Sequence, residues 1–246
     1  MNEKQLANPL YVVYLVAAVV ALLMVYLWFS PTGDQGRVTR GETGQLAILP
    51  PKAVPTPPPS RRVVQSAGRP RIGIVAGHSG FDSGAVCPDG LTEVSINQEV
   101  AQAVAALLEA EGIRIDLLEE YDERLRSYSS SALISIHADA CLYPEASGFK
   151  VASLEGSANP YNQILVECLA TEYLNRTGLQ FHANSITFDM TQYHVFNTIS
   201  SQTPGAIIEV GFMLTDRELL TEHPDLVAQG IVDGIHCYFD ALRASR

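Results

Sequence analysis

Hydrophobic positions divide the chain into three stretches. Residues 10–29 are an unbroken apolar run without one charged residue, and residues 30–70 are rich in proline, glycine and polar residues. From residue 71 onward, short apolar runs alternate with longer segments whose apolar residues recur every three or four positions. These patterns predict, in that order, a membrane-spanning helix, a linker and a folded α/β domain.

The apolar run at 10–29 is twenty residues long, enough for a helix to cross a hydrocarbon core of about 30 Å. A cleavable signal peptide has a shorter apolar core, of about 7–15 residues. This run also ends in Tyr26, Trp28 and Phe29, aromatic residues typical of a membrane interface. We therefore predict an uncleaved transmembrane anchor, preceded by a short tail at 1–9. Lysine and arginine are nearly balanced across its two flanks and do not predict its orientation.

Residues 30–70 cannot supply a hydrophobic core, and five of them between 51 and 59 are prolines. This composition predicts an extended, semi-rigid tether. The seven Lys/Arg and three Asp/Glu of residues 1–70 give +4, whereas the nine and twenty-four of residues 71–246 give −15. An acidic domain repels phosphate backbones, so nucleic acid is excluded as a partner. The basic linker charges either lie against anionic lipids or wall polymers or are simply solvated.

Residues 71–246 are predicted to form a single α/β domain. Strands are predicted at 71–76, 113–118, 132–137, 149–154, 193–197 and 205–210, and helices at 93–111, 159–176, 215–221 and after residue 224. This alternation predicts a mixed, mostly parallel twisted sheet flanked by helices. Ligands of such sheets bind beyond the carboxyl ends of the strands.

Three predicted strands end in residues that can bind a metal. His78 follows the first, His137 ends the third and Glu209 lies in the last, while Glu93 begins the first helix. A hydrolytic zinc site uses three such ligands and one water, whose pKa the metal lowers to about 7. A fourth carboxylate can then carry the proton from water to a leaving nitrogen. Taken singly, however, each of these residues is more often structural.

Four motifs in order carry a specific resemblance. They are Gly77-His78-Ser79-Gly80 with Asp82, Gly90-Leu91-Thr92-Glu93 with Asn97, Ser135-Ile136-His137-Ala138, and Glu209-Val210-Gly211-Phe212. Residues 72 to about 240 thereby resemble the zinc-dependent N-acetylmuramoyl-L-alanine amidases. The resemblance implies that His78, Glu93 and His137 ligate Zn²⁺ and that Glu209 is the catalytic carboxylate. It also implies the substrate, which is the amide between N-acetylmuramic acid and L-alanine in peptidoglycan.

The chain departs from the family pattern in three places. Asp139 stands where the family usually has asparagine, which leaves open an effect on metal affinity, an effect on substrate charge preference, or a solvent-facing side chain. Arg124 or Arg126 matches the family's arginine, for which we expect a structural ion pair. Residues 141–160 are too few for the inserted helix that plugs the site in some members, so we expect no built-in plug.

Cysteines and the remaining histidines are weaker signals. Cys168 and Cys237 are predicted to be core thiols, whereas Cys87 and Cys141 both follow proposed ligand loops and either pair or lie close together. Four cysteines allow three full pairings, and the sequence chooses none. None of the four other histidines ends a strand in a matching motif, so none is expected to be catalytic. His182 and His194 are candidates for substrate contact, and the remaining two are His223 and His236.

Two alternatives compete with a membrane-tethered zinc amidase. One is a zinc amidohydrolase or peptidase that acts on a different amide, because metal chemistry is indifferent to the acyl group. The other is a non-catalytic wall-binding module, which the presence of all four site residues disfavours. Because peptidoglycan lies outside the cytoplasmic membrane, the first hypothesis places the chain as a single-pass protein with an extracytoplasmic domain. A protein activator is conceivable, and the sequence does not identify one.

Overall fold

The computed structural model describes residues 69–245, so the predicted tail, anchor and nearly all of the linker lie outside the described residues. The five strands are β1 Arg71–Ala76, β2 Arg114–Leu118, β3 Ala132–Asp139, β4 Lys150–Ala152 and β5 Gly205–Phe212. They form one sheet in the order β2-β1-β3-β5-β4, parallel except for β4, which runs antiparallel to β5. The predicted mixed, mostly parallel sheet is therefore confirmed.

Helices connect the strands and cover the sheet. They are α1 Glu93–Ala110, α2 Tyr161–Thr177, α3 Phe188–Thr191, α4 His194–Thr198, α5 Arg217–Glu222 and α6 Pro224–Ala244, with 3₁₀ turns at Glu123–Leu125 and Ala183–Ser185. The four predicted helices are confirmed as α1, α2, α5 and α6, with ends that shift by a few residues. Between residues 69 and 245, no helix combines the length and the hydrophobicity needed to cross a membrane.

The strand predicted at 193–197 is wrong, because that segment begins the short helix α4. A run of five residues with three apolar or aromatic side chains does not distinguish a strand from a helical turn by periodicity. In the helical conformation, Val195 and Phe196 both pack into the apolar layer on one side of the sheet. A helical turn can bury two adjacent side chains on the same side, whereas adjacent side chains of a strand point to opposite faces of the sheet.

Alternation along the strands separates two apolar layers. In β3, Ile134 and Ile136 face the layer formed with α1, α2 and α6, whereas Leu133 faces the opposite layer, with Val75 and Ile207. The face that carries Leu133 continues as Ser135, His137 and Asp139 toward the carboxyl end of the strand. The same strand face is therefore apolar at one end and polar at the other, and the polar end lies at the carboxyl edge of the sheet.

The strand order places a switch point between β1 and β3. From β1 the chain passes to β2 on one side, and it then crosses to β3 on the other side of β1. In open α/β sheets, connections leave such a point in opposite directions and open a crevice beyond the strand ends. His78 follows β1 and His137 lies near the end of β3, so both histidines are at this crevice.

Two disulfides link the described cysteines. Cys87 pairs with Cys141, as one of the sequence hypotheses allowed, and Cys168 pairs with Cys237. The prediction of plain thiols at Cys168 and Cys237 is therefore wrong. These residues lie on α2 and α6, which pack against each other over the sheet and bring the two Cα atoms to 5.5 Å. The helical pattern indicated buried side chains, but only the packing of the two helices decides that they meet.

Candidate metal centre

A tight glycine-rich turn presents His78 beyond β1. The turn is anchored by the amide of Gly77, which donates to the carbonyl of Ile136 at 2.9 Å. His78 itself has φ +65°, a left-handed conformation that is uncommon for a residue with a side chain. Its Nδ1 lies 2.6 Å from Oδ1 of Asp82, and its Nε2 lies 3.1 Å from Oε1 of Glu93. Asp82 thus orients the ring so that Nε2 points into the crevice.

Glu93 is the first residue of α1 and is almost fully buried. Thr92 caps this helix by accepting from the amide of Ser95, which places the Glu93 carboxylate at the positive end of the helix dipole. The Ala85 amide donates to Oε2 at 3.1 Å, and Nδ2 of Asn97 donates to Oε1 at 3.3 Å. Hydrogen bonds from the protein therefore hold both oxygens of this carboxylate in place without a metal.

His137 completes a group of three donors. Its Nδ1 lies 3.0 Å from Oε1 of Glu93, and its ring meets that of His78 edge-on with centroids 5.1 Å apart. One ligand atom from each of His78, Glu93 and His137 can be chosen so that all three lie within 4.8 Å of one another. Two imidazole nitrogens and one carboxylate oxygen at such spacing suit a zinc ion with one open position.

Charge within this group is strongly coupled. Burial alone would raise the pKa of Glu93, but hydrogen bonds from His137 and His78 outweigh it and lower that pKa. The hydrogen bond to Glu93 raises the pKa of His78 to about 9. Burial opposes the charged form of His137, yet the contact with Glu93 raises its pKa as well. A metal ion must therefore compete with protons for the ring nitrogens of this group, because a histidine binds a metal only through an unprotonated nitrogen.

Glu209 lies beside this group on the neighbouring strand. In the parallel register of β3 and β5 it pairs with His137, and alternation puts both side chains on the same face. Its Oε2 is buried and receives no hydrogen bond from any described group. Burial raises the pKa of Glu209 to about 7, with His137 opposing the rise and Glu93 adding to it. A buried carboxylate oxygen without a donor is free to accept a proton from water or substrate.

Two functional candidates were missed by sequence reasoning. Glu120 is 5% exposed, and it accepts hydrogen bonds from the amide of His78 and from the Tyr193 hydroxyl. Tyr193 also reaches His137, with 3.4 Å between its hydroxyl and Nε2. Glu120 comes two residues after β2, so the strand-end rule that selected His78 could have found it. Tyr193 had no such signal because a false strand was assigned to its segment.

The structure shows the surroundings of the residues that depart from the family pattern. Asp139 forms an ion pair with Lys150, and both side chains are mostly buried, so Asp139 does not face solvent. Arg124 pairs with Asp122 and donates to the carbonyl of Leu117 at 2.8 Å, which matches the expected structural ion pair. Residues 141–160, all of them described, contain turns and the strand β4 but no helix, as expected for a site without a built-in plug.

The other histidines lie apart from the group of three. His182 contacts Ser185 in a turn, and His236 pairs with Glu111, the residue that follows α1. His223 lies at the junction of α5 and α6. His194 is the exception, because its Nε2 lies 2.7 Å from Oε1 of Glu120 and its ring stacks on the exposed Tyr121. It therefore connects the surface to the buried side of the candidate centre.

An open cleft of about 710 Å³ adjoins the centre without containing it. Ser79, Gln98 and Tyr121 are among its lining residues, whereas none of the three candidate ligands lines it. We place the chemistry at the charged cluster rather than in this cleft, because neither the three candidate ligands nor Glu209 lines the cleft.

Comparisons with known proteins point to one family. The pattern of the N-acetylmuramoyl-L-alanine amidase family matches residues 72–237. The amidase AmiC of Neisseria meningitidis serogroup B is 32% identical over 108 residues, which cover 40% of this chain and 26% of that protein. The match thus spans about a quarter of the length of this relative.

Solved structures show the same fold. The amidase AmiC2 of Nostoc punctiforme is 24% identical with a TM-score of 0.58, over 70% of this chain and 98% of that chain. The CwlD amidase of Clostridioides difficile, solved in complex with the GerS lipoprotein, is 20% identical with a TM-score of 0.58, over 70% of this chain and 100% of that chain. With the family pattern matched across the whole domain, the chain belongs to the N-acetylmuramoyl-L-alanine amidase family.

Proposed function

We propose that the chain is a zinc-dependent amidase that hydrolyses the bond between N-acetylmuramic acid and L-alanine in peptidoglycan. The observation that carries the proposal is the convergence of His78, Glu93 and His137 beside a buried carboxylate oxygen of Glu209 that has no donor. Family membership supports the substrate, because the matched family is defined by this amide.

The three donors fit zinc in number, type and spacing. His78 would bind through Nε2, since Asp82 occupies its Nδ1, and His137 would bind through Nδ1, which faces Glu93. A bound zinc ion supplies Lewis acidity, which activates water and polarises a carbonyl. The protein's part is to hold these nitrogens and the Glu93 oxygen in place while leaving one side of the cluster open.

Glu209 carries the proton in this proposal. Its unpartnered Oε2 accepts a proton from the attacking water and returns it to the nitrogen of L-alanine as the amide breaks. Burial holds the pKa of Glu209 at about 7 in the metal-free protein, close to the range in which a general base works well. The charge of a nearby cation would favour the carboxylate form that this step requires.

We further propose an extracytoplasmic location with residues 10–29 as the membrane anchor. The substrate lies outside the membrane, and two disulfides among the described cysteines favour an oxidising compartment. Protease treatment of spheroplasts would digest residues 71–246 if this topology is right. Full protection of that domain would contradict it.

The absence of a helix in residues 141–160 supports activity without an added partner. One structural neighbour was solved in complex with a lipoprotein, so a protein partner for this chain remains a proposal of its own. Activity of the purified chain that appears only on addition of a second protein would favour such an activator.

The test of the function is muropeptide analysis of peptidoglycan digested by the purified full-length chain loaded with zinc. Release of intact stem peptides with free L-alanine amines is expected. Glu209→Gln should keep its zinc and lose at least about 100-fold in kcat, because a proton carrier contributes about that much. Glu218→Gln, an exposed glutamate on α5, is the matched control and should retain activity. Products cut at another amide would favour a peptidase, and a turnover unchanged in Glu209→Gln would remove this residue from its role.

A further inference from the structure

Glu120 is a buried carboxylate that the proposed chemistry does not use. Three groups donate to it: the amide of His78 to Oε2 at 2.9 Å, the Tyr193 hydroxyl to Oε1 at 2.8 Å, and Nε2 of His194 to Oε1 at 2.7 Å. The backbone amide can only donate, and the two donors at Oε1 converge on one oxygen. A carboxylate surrounded by donors in this way acts as an acceptor of hydrogen bonds.

This restriction fixes the direction of the next hydrogen bond. Because Glu120 only accepts, the Tyr193 hydroxyl must donate its single proton to Oε1. The Tyr193 oxygen can then only accept from its other neighbours, Ser135 Oγ at 3.0 Å and Nε2 of His137 at 3.4 Å. Consequently, Nε2 of His137 carries a proton whenever it bonds to Tyr193.

The same ring presents its other nitrogen to the candidate metal centre. Nδ1 of His137 lies 3.0 Å from the Glu93 oxygen that also meets His78. A histidine that binds a metal must do so through an unprotonated nitrogen, so a proton fixed on Nε2 leaves Nδ1 as the ligand. Oε2 of Glu120 lies 3.7 Å from Nε2, and its charge supports the proton there.

We propose that Glu120, acting through Tyr193, is a positioning residue that fixes the His137 tautomer and so makes Nδ1 the zinc ligand. This inference rests on the proposed function, since it assumes that zinc occupies the centre. It adds two residues to the site, neither of which bonds to the metal. Partners of this kind typically change metal affinity by about 10- to 100-fold.

The experiment uses the full-length chain with ¹⁵N-labelled histidine and two variants of similar volume. Zinc affinity is measured by competition with a chelator, and long-range ¹H–¹⁵N spectra of the zinc-loaded protein identify the protonated nitrogen of His137. In wild type we expect a proton on Nε2. Glu120→Gln can donate as well as accept, so the direction of the Tyr193 bond is no longer fixed, and zinc affinity should fall by about tenfold or more.

Tyr193→Phe removes the intermediate hydroxyl and should produce a similar loss. If Glu120 acts through Tyr193, the double variant should lose no more than about the larger single loss, whereas independent roles would multiply the two losses. Glu119→Gln is the matched control, because it removes the same charge from an exposed neighbour. If Glu120→Gln does not fold, the Tyr193→Phe spectrum and affinity carry the test alone.

The outcomes separate this inference from the proposed function. A wild-type chain that binds no zinc would overturn both. Wild-type zinc affinity and an unchanged His137 spectrum in Glu120→Gln and Tyr193→Phe would overturn the positioning role alone. Losses that multiply in the double variant would likewise overturn it, because Glu120 would then act by another route.

Discussion

Two regions of the domain each contain a disulfide, but charged side chains stabilise one and apolar side chains stabilise the other. The segments that follow β1 and β3 are linked by Cys87–Cys141 and adjoin the candidate ligands, which lie after β1, at the start of α1 and near the end of β3. The helices α2 and α6 pack together over the sheet and are linked by Cys168–Cys237. Buried charges in contact hold the first region, whereas apolar side chains such as Leu169 and Ile235, both with 0% exposure, hold the second.

The difference separates what the domain needs in order to fold from what it needs in order to bind. Close packing between α2 and α6 contributes stability without regard to chemistry. Around the candidate ligands, two imidazoles and a carboxylate lie buried or half-buried together, an arrangement that costs free energy unless its charges are paired. Changes in the helix pair should therefore alter stability alone, and changes in the loops should alter metal binding first.

Removal of the helix disulfide should have the largest effect on stability. The double variant Cys168→Ala/Cys237→Ala opens a loop of 69 residues and should lose about 4 kcal/mol in free energy of unfolding, from the entropy of the unfolded chain. Its zinc affinity should stay unchanged when measured well below the unfolding temperature. In contrast, Cys87→Ala/Cys141→Ala should lower zinc affinity; equal zinc affinities in the two double variants would erase the contrast between the regions.

A single methyl group placed in each region sharpens the comparison. A Cβ at Gly77 would overlap the imidazole of His137, so Gly77→Ala should reduce zinc affinity by about 100-fold or more. A Cβ at Gly234 would lie 2.8 Å from the Leu169 Cα, so Gly234→Ala should cost about 1–3 kcal/mol of stability by overpacking. Chelator competition and denaturant unfolding on both variants measure the two effects. A Gly77→Ala protein that binds zinc normally would show that the His137 ring is not fixed in this position.

Glu209 predicts a pH dependence of stability within the charged region. Its folded pKa of about 7 lies above the unfolded value of 4.5, so its contribution is fully present below about pH 4.5 and is lost as the pH rises through 7. In Glu209→Gln the side chain at this position does not ionise. The gain in free energy of unfolding of the metal-free variant over wild type should therefore be about 1–3 kcal/mol larger at pH 8 than at pH 5. Thermal unfolding at the two pH values measures this. A stabilisation that is the same at both would place the pKa of Glu209 outside this window.

The smallest effect is expected at the surface, outside both regions. Arg124 pairs with Asp122 in an exposed turn, and such ion pairs contribute at most about 1 kcal/mol. Arg124→Ala should therefore shift stability slightly and leave zinc affinity as it is. A loss of zinc binding in this variant would show that the turn supports the centre.

The sequence predicted most of this arrangement because its signals are local. Alternating apolar runs located all five strands to within a few residues, with one false strand at 193–197. The strand-end positions of His78 and His137 placed both at one crevice. Glu93 was found through its motif at a helix start. Each of these signals lies within a few residues of the side chain concerned.

What the sequence did not predict depends on contacts between distant segments. Tyr193 joins the centre only because α4 folds over the end of β3, 56 residues away along the chain. Cys168 and Cys237 pair because two helices pack, which no spacing of four cysteines decides. Glu120 was missed for another reason. It follows the end of β2 as His78 follows β1, but it is one of several neighbouring acidic residues, and only the structure shows its donors.

Zinc binding by the purified full-length chain tests the central claim most directly. Equilibrium dialysis after chelation should give one zinc per wild-type chain. Chains with His78→Ala or Glu93→Gln should bind at least about 100-fold more weakly, because each removes one of three ligands. A wild-type chain that binds no zinc, or a Glu93→Gln chain that binds it as tightly as wild type, would contradict the claim that these side chains form one metal centre.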